Sequence, residues 1–149
     1  MKHDPSKVLC RVTFADACAF VTEHHRHHKK PQGYVVAIGC KIGGVLVGVA
    51  MLGRPVARNR DDGITLELIR LCVIEGYPNV ASWLLTRAKR LAHAMGSRLI
   101  TYTMPCEGGA SLRAAGFKYE GEAGGGQWSR PSRPREESTT DGTKSLWSA

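Results

Sequence analysis

The chain has 149 residues, of which 42% are hydrophobic and 23% are charged, a size and composition typical of one soluble globular domain. Lysine and arginine outnumber aspartate and glutamate by 21 to 13, which gives a net charge of +8. This charge favours an anionic partner such as nucleic acid, a nucleotide or an anionic metabolite, although a basic surface can also serve solubility alone. No apolar leader follows Met1, and the apolar run at 45–52 is too short to cross a bilayer, so we expect a cytoplasmic protein without a membrane partner.

The cysteines exclude a cysteine-based zinc site. Five are present, at positions 10, 18, 40, 72 and 106, and no two of them form a CxxC pair. Their wide spacing and apolar neighbours predict buried, reduced thiols.

The first half of the chain is predicted to form a strand, a helix and an antiparallel hairpin, over residues 8–12, 13–25, and 34–42 with 45–52. Thr13 with Asp16 three residues later is a capping-box-like helix start. Gly43 and Gly44 separate the two hairpin strands, and glycine pairs favour tight two-residue turns.

The second half is predicted to form a strand at 64–73, a helix from Asn79 to Gly96, a strand at 99–103, a short helix at 110–115 and strands at 117–122 and 127–129. Asn79 is a good residue for a helix cap, and the helix carries an apolar stripe over four turns. Because this helix joins the strands 64–73 and 99–103 directly, we expect those strands to be parallel.

The composition changes after residue 129 to Ser, Pro, Arg, Glu, Thr and Gly. We therefore predict a domain over 1–129 and a basic, polar tail over 130–149 that is disordered. The start of this tail, from Arg130 to Arg135, is a candidate basic arm across the substrate face.

The order of elements and the segment Ser-Leu-Arg-Ala-Ala-Gly-Phe at 111–117 resemble the GNAT (GCN5-related) N-acyltransferases. The resemblance implies an α/β (α+β) single domain with a mixed, mostly antiparallel central sheet flanked by helices. It also implies an acyltransferase, with acetyl-CoA or another acyl donor as the cofactor.

The donor loop of that family is missing here. GNAT enzymes carry Arg/Gln-x-x-Gly-x-Gly/Ala between the fourth strand and the next helix, where backbone amides hold a pyrophosphate. At this place Pro78 removes an amide, Glu75 adds a negative charge and only Gly76 gives backbone freedom. The departure favours an unusual donor.

Several local features resemble a divergent branch of the same fold, the phage Mom DNA-modification proteins. They are the histidine-rich end of the first helix, Glu-Leu-Ile-Arg-Leu at 67–71, Pro78-Asn79 with Ser82, and Arg-Ala-Ala-Gly-Phe at 113–117. The chain also resembles small phage and prophage proteins in its His-rich, Glu-Leu-x-Arg-Leu and Ser-Arg-Pro-Ser-Arg-Pro-Arg segments. The resemblance implies that DNA and a small-molecule donor are the partners.

The predicted catalytic residues are Glu67, Arg70 and Tyr102. An ionised Glu67 between leucines is costly unless it has a partner or a function, and a glutamate on this strand acts as general base in many GNAT enzymes. A structural ion pair with Arg70 is the alternative, but residues three apart on a strand point to opposite faces unless a bulge intervenes. Tyr102 suits either a role in the active site or packing in the core.

The predicted donor-binding residues are Cys72, Val73, Asn79, Ser82 and Arg113, placed by the GNAT and Mom resemblance. Asn79 and Ser82 are also explained as a helix cap and a first-turn residue.

The predicted substrate-binding residues are His24, His25, His27, His28, Lys29, Arg54, Glu107 and Arg130. A solvated basic helix end explains the histidine cluster equally well. His24 and His28 share a helix face if the helix continues, but no carboxylate at matching spacing completes a metal site, so no metal is predicted. Phosphate contact or proton transfer near neutral pH is the functional alternative.

Three functions follow from these observations. The first is a transferase that modifies a nucleobase in DNA or another phosphate-bearing acceptor. The second is an acetyl-CoA-dependent N-acetyltransferase acting on a small amine or a protein. The third is a non-catalytic nucleic-acid-binding or host-interaction protein that kept the fold without the chemistry.

Overall fold

A computed structural model describes residues 6–24, 31, 33–56, 60–104, 108–123 and 144–149. Within these ranges the strands are β1 (Lys7–Arg11), β2 (Val36–Ile42), β3 (Val45–Gly53), β4 (Thr65–Val73), β5 (Arg98–Thr103), β6 (Lys118–Ala123) and β7 (Lys144–Ser148). The helices are α1 (Phe14–His24), α2 (Val80–Ala94) and α3 (Ala110–Ala114).

One sheet carries all of these strands, in the spatial order β1-β2-β3-β4-β5-β7-β6. Only the β4–β5 pair among them is parallel. The helix α2 covers one face of the sheet, with Trp83, Leu84 and Ala88 in the larger core. The helix α1 covers the other face through a second core that includes Phe20 and Val21. The predicted mixed, mostly antiparallel sheet with flanking helices is confirmed.

Local sequence signals account for the N-terminal half. The predicted turn at Gly43 and Gly44 joins β2 to β3, and both residues have positive φ, 60° and 81°, which glycine adopts without strain. The backbone N–H of Asp16 donates to Thr13 Oγ1 at 3.1 Å, so Thr13 caps the start of α1 as predicted.

The strands β4 and β5 separate beyond their first residues. Their parallel pairing runs from Thr65 with Arg98 to Glu67 with Ile100 and stops there, although β4 continues to Val73 and β5 to Thr103. This divergence opens a gap in the sheet at the carboxyl ends of the two strands.

The last residues contradict the predicted disordered tail. Lys144–Ser148 form β7, which lies between β5 and β6 and pairs with both. Leu146 and Trp147 are 6% and 2% exposed, and burial of these large apolar side chains favours order at this end of the chain. The predicted strand at 127–129 and the predicted arm from Arg130 lie outside the described residues.

Among the residues that the structure describes, no helix has the length and apolar character needed to span a membrane.

Candidate active site

A β-bulge in β4 sets the geometry of the candidate site. On β3, Met51 pairs with Arg70 and Leu52 pairs with Leu68, which leaves Ile69 as the additional residue of β4. Facing residues in a ladder share a face of the sheet. Glu67 pairs with Gly53, two positions from Met51, so Glu67 and Arg70 lie on the same face.

Glu67 is held in a mostly buried position on that face, 8% exposed. Its Oε1 accepts a hydrogen bond from the backbone N–H of Val56 at 3.2 Å. Burial raises the pKa of Glu67 above its ordinary value, and the Val56 hydrogen bond and the positive charges of Lys144 and Arg70 oppose that rise. A carboxylate with a raised pKa is suited to accept a proton near neutral pH.

Tyr102 on β5 is close enough to Glu67 to respond to its charge. Burial raises the pKa of Tyr102, the negative charge of Glu67 raises it further, and the positive charge of Arg60 opposes both effects. The hydroxyl of Tyr102 therefore keeps its proton at neutral pH. The site thus brings together a carboxylate that can accept a proton and a phenol that can donate one.

A cleft of ≈ 400 Å³ lies where β4 and β5 separate. Leu68–Leu71 of β4 and Thr101–Thr103 of β5 form its walls, and Ala81, Leu85 and residues 109–112 complete it. Because β4 is not paired with β5 here, its edge can hydrogen-bond an extended chain that carries amide groups. The Oγ1 of Thr101 donates to the Leu68 carbonyl oxygen across the gap at 3.4 Å.

A second cavity of ≈ 440 Å³ adjoins the cleft, and we call it the acceptor cavity. It is lined by Pro31, Gly33, Tyr34, Val35, Arg54, Val56, Ile69 and Arg70. Ile69 and Arg70 line both spaces, so the bulge separates the two cavities. Tyr102 lines the cleft, and Glu67 contacts the lining of the acceptor cavity through the backbone N–H of Val56.

The side chains of Cys72 and Val73 lie outside the cleft lining. Cys72 is 1% exposed in the core beneath α1, and burial raises the pKa of its thiol to about 11. Val73 packs against the core beneath α2. Their side chains pack against opposite cores because the strand alternates its side chains between the two covered faces. A role for Cys72 and Val73 in donor binding stays a prediction.

Asn79 and Ser82 stand at the start of α2. Asn79 has φ 69° in the left-handed region and makes no side-chain capping bond within the described residues. Asparagine tolerates that conformation better than most residues. Ser82 Oγ donates to the carbonyl oxygen of Asn79 at 3.2 Å. Neither lines the cleft, so a role for them in donor binding stays a prediction.

Arg113 lies on α3, directly after the cleft residues 109–112, and is not part of the cleft lining. Its guanidinium stands 5.0 Å from the ring centroid of Trp147 and donates a hydrogen bond to the carbonyl oxygen of Gly108. These contacts fix the start of α3 against β7. Arg54 lines the acceptor cavity, and its Nη1 lies 3.7 Å from Asp61 Oδ1.

His24 is the last residue of α1 and lines neither the cleft nor the acceptor cavity. Its ring centroid is 4.5 Å from that of Phe20, and its Nε2 is 3.7 Å from Glu23 Oε2. The other predicted substrate residues, His25, His27, His28, Lys29, Glu107 and Arg130, lie outside the described residues. In the described ranges, no three His, Cys, Asp or Glu side chains are grouped to hold a metal ion.

Sequence reasoning missed four residues of this region: Tyr34, Val56, Lys144 and Trp147. The sequence contained a signal for Trp147, because Leu146 and Trp147 are apolar residues in an otherwise polar tail. Tyr34 had only its place at the start of a predicted strand. Val56 acts through its backbone N–H and Lys144 through the effect of its positive charge on Glu67, and neither leaves a local signature.

Residues 7–138 match the Mom protein family. The chain belongs to this family. The predicted resemblance to Mom is thereby confirmed, and the matched segment contains Glu67, Arg70, Tyr102 and the acceptor cavity. A search of curated protein sequences gives no significant match.

Solved acetyltransferase structures share the fold of this Mom-family chain. An IAA acetyltransferase from Bacillus cereus is similar with TM-score 0.69 at 18% identity, covering 96% of this chain and 98% of that one. A GNAT-family acetyltransferase from Streptococcus pneumoniae has TM-score 0.63 at 13% identity, with 96% and 98% covered. A Bacillus subtilis acetyltransferase in complex with CoA has TM-score 0.65 at 13% identity, with 95% of each chain covered. The chain therefore has the GNAT fold, as predicted.

Proposed function

We propose that this Mom-family chain is a GNAT-fold transferase that moves an acyl-type group from a small-molecule donor to an amino group of a nucleobase in DNA. One observation carries the proposal: Tyr102 in the cleft is close enough to Glu67 to respond to its charge, and Arg70, whose charge acts on Glu67, lines both the cleft and the acceptor cavity. A transferase needs such a meeting point, because the acceptor must lose a proton and the leaving group must gain one.

The cleft suits the arm of an acyl thioester such as acetyl-CoA. Such a donor supplies an electrophilic carbonyl carbon and a sulfur leaving group. The β4 edge at Leu68–Leu71 offers backbone groups to its amides, and Leu85 and Leu112 give apolar contact. The start of α2 suits the anionic end of the donor. Its first turn contains no acidic residue, and the N-terminus of a helix favours a negative charge. The glycine-rich pyrophosphate loop of GNAT enzymes is replaced by 74–79.

Glu67 is the base in this proposal. Its carboxylate accepts the proton of the attacking amino nitrogen as the new nitrogen–carbon bond forms. The amino group of a nucleobase is a weak nucleophile because its lone pair is delocalised into the ring, so removal of that proton matters more here than for an alkylamine. Tyr102 donates its hydroxyl proton to the departing sulfur as the carbon–sulfur bond breaks.

The choice of DNA is supported by charge and by the family. The chain carries a net charge of +8, and Arg54 and Arg70 both line the acceptor cavity. Arginine suits phosphate recognition because its planar guanidinium donates two parallel hydrogen bonds. The Mom resemblance adds the expectation of a modified base.

Mass spectrometry of nucleosides tests the proposal. DNA from cells that produce the wild-type chain should contain a nucleoside of increased mass. Cells that produce Glu67→Gln should lack it, while those with the exposed-residue control Glu122→Gln should keep it. An unchanged nucleoside profile with well-folded wild-type protein would count against DNA as the acceptor.

Two companion measurements separate the alternatives. Acetylation of amines or peptides by purified protein, together with unmodified DNA, would favour a conventional acetyl-CoA N-acetyltransferase. A biological effect that survives Glu67→Gln would favour a non-catalytic protein. Thermal stabilisation by acetyl-CoA reports whether that donor binds, since a ligand at 100 times its Kd adds about 2.7 kcal/mol to folding stability.

A further inference from the structure

We propose that the acceptor cavity receives a nucleobase turned out of the DNA double helix, with Tyr34 as its stacking surface and Arg54 and Arg70 as contacts for the flanking phosphates. This inference rests on the proposed function and adds how the acceptor base reaches the site. Three features of the described residues support it: an aromatic pair, the shape of the cavity and the arrangement of charge.

Tyr34 is a braced aromatic surface. Its ring is stacked on Phe14, with centroids 4.8 Å apart and planes 22° from parallel. Phe14 in turn packs against the core beneath α1, so the tyrosine is supported from the protein side. Tyr34 is nevertheless 38% exposed and lines the acceptor cavity. A base placed on its open face would extend an existing aromatic stack.

The size of the cavity suits a single base. Its ≈ 440 Å³ lies within the range of about 300–1,000 Å³ that is usual for small-molecule sites. Val35, Val56 and Ile69 give it apolar walls. A paired base cannot enter such a recess with its duplex attached, and enzymes that act on a base inside DNA commonly extrude it.

The orientation of the base in the cavity follows from the positions of Glu67 and Arg54. Val56, which lines the cavity, donates its backbone N–H to Glu67, so the carboxylate lies within hydrogen-bonding distance of the cavity lining. The side chain of Arg54 is 60% exposed, where it can meet the backbone of the target strand. A base with its amino group towards Glu67 leaves its sugar and phosphates towards the cavity mouth.

Binding to mismatched DNA tests the inference without knowledge of the target sequence. Purified full-length protein is titrated at fixed salt against a short duplex with a matched adenine and against the same duplex with that adenine opposite cytosine. A mismatched base costs less to extrude, so the mismatched duplex should bind about five- to a hundredfold more tightly.

Substitutions assign that preference to Tyr34. Tyr34→Ala and Tyr34→Leu should each remove the preference for the mismatch, while Tyr34→Phe should keep it because the aromatic face remains. Tyr77→Ala is the matched control, since Tyr77 is also 38% exposed but lies outside the cavity lining. Tyr34→Leu retains an apolar wall, so it serves if the alanine variant is poorly folded.

The outcomes distinguish this inference from the proposed function. Equal affinity of the wild type for both duplexes, in a protein that still modifies DNA nucleosides, would overturn base extrusion and leave the transferase in place. A mismatch preference that survives both Tyr34→Ala and Tyr34→Leu would overturn the role of Tyr34. Failure of the transferase itself would appear separately, as unmodified nucleosides.

Discussion

Glu67 and Arg70 lie on the same face of β4 although three residues separate them, because the strand bulges at Ile69. The bulge brings a positive charge near the buried carboxylate and places Arg70 on the boundary of both cavities. In a regular strand Arg70 would point towards the α2 core, where an unpaired charge is costly. Bulges next to active sites commonly redirect a side chain in this way.

Replacement of Glu67 by glutamine should reduce transfer by about 10²–10⁴-fold, the usual contribution of a general base. Glutamine keeps an oxygen that can accept the Val56 hydrogen bond, so folding and donor binding should persist. Product formation at saturating donor measures the loss, and Glu122→Gln is the control. A Glu67→Gln rate within a factor of two of wild type would remove Glu67 from the mechanism.

The pH dependence of transfer should show the raised pKa of Glu67. Burial raises this pKa above its ordinary value of 4.5, and only the deprotonated form can accept a proton. The rate should therefore rise with pH through a midpoint above 4.5. A pH–rate profile of the wild type, with unfolding checked at each pH, measures that midpoint. A midpoint at or below the ordinary value would contradict the assignment.

Folding stability should also depend on pH through Glu67, but it should fall with rising pH where the transfer rate increases. A carboxyl group whose pKa is raised in the folded state favours folding fully below its unfolded pKa, and this contribution is lost as pH rises through the folded pKa. Between the unfolded and the folded pKa of Glu67, the wild type loses stability as pH rises and Glu67→Gln does not. The unfolding free energy of Glu67→Gln minus that of wild type should therefore increase over this pH range. Urea titrations of both proteins at a series of pH values measure the difference. A constant difference would contradict the prediction.

Truncation of Trp147 to alanine should destabilise the fold by about 3–5 kcal/mol, the usual cost of deleting a buried large aromatic side chain. Its ring is 2% exposed and its Nε1–H donates to Thr103 Oγ1 at 3.0 Å. Trp147→Phe should lose only about 1 kcal/mol through that hydrogen bond. Urea unfolding of each variant measures the costs.

A double-mutant cycle with Thr103→Val provides the control for Trp147. The combined effect of Trp147→Phe and Thr103→Val should be smaller than the sum of the single effects, because both remove the same hydrogen bond. If Trp147→Ala were as stable as wild type, β7 would not be part of the folded core.

Gly109→Ala should be harmful where Gly108→Ala is tolerated. Gly109 has φ 69°, and an added Cβ would collide with the six-membered ring of Trp147. At Gly108 an added Cβ meets no described atom within 4 Å. We expect Gly109→Ala to cost more than about 1 kcal/mol and to weaken donor binding, because this segment forms one wall of the cleft. Thermal unfolding and donor titration compare the two variants, and equal behaviour would argue against the close Gly109–Trp147 packing.

Much of the fold was predictable because its signals are local. Gly43 and Gly44 marked the β2–β3 turn, Thr13 marked the start of α1, and an apolar stripe marked α2. The direct path from β4 through α2 to β5 predicted their parallel arrangement. These features depend on backbone preferences and on hydrophobic periodicity within one element, which a sequence displays directly.

The sequence by itself determined the order of the elements, the charge of the chain and the candidacy of Glu67, a carboxylate set among leucines. Tertiary structure decided that Ile69 bulges, that β4 and β5 separate, that Tyr34 faces the acceptor cavity, and that β7 fills the place between β5 and β6. It also placed the side chain of Cys72 in the core beneath α1. Each of these outcomes depends on contacts between residues far apart in the chain, and such contacts leave no pattern within a single segment.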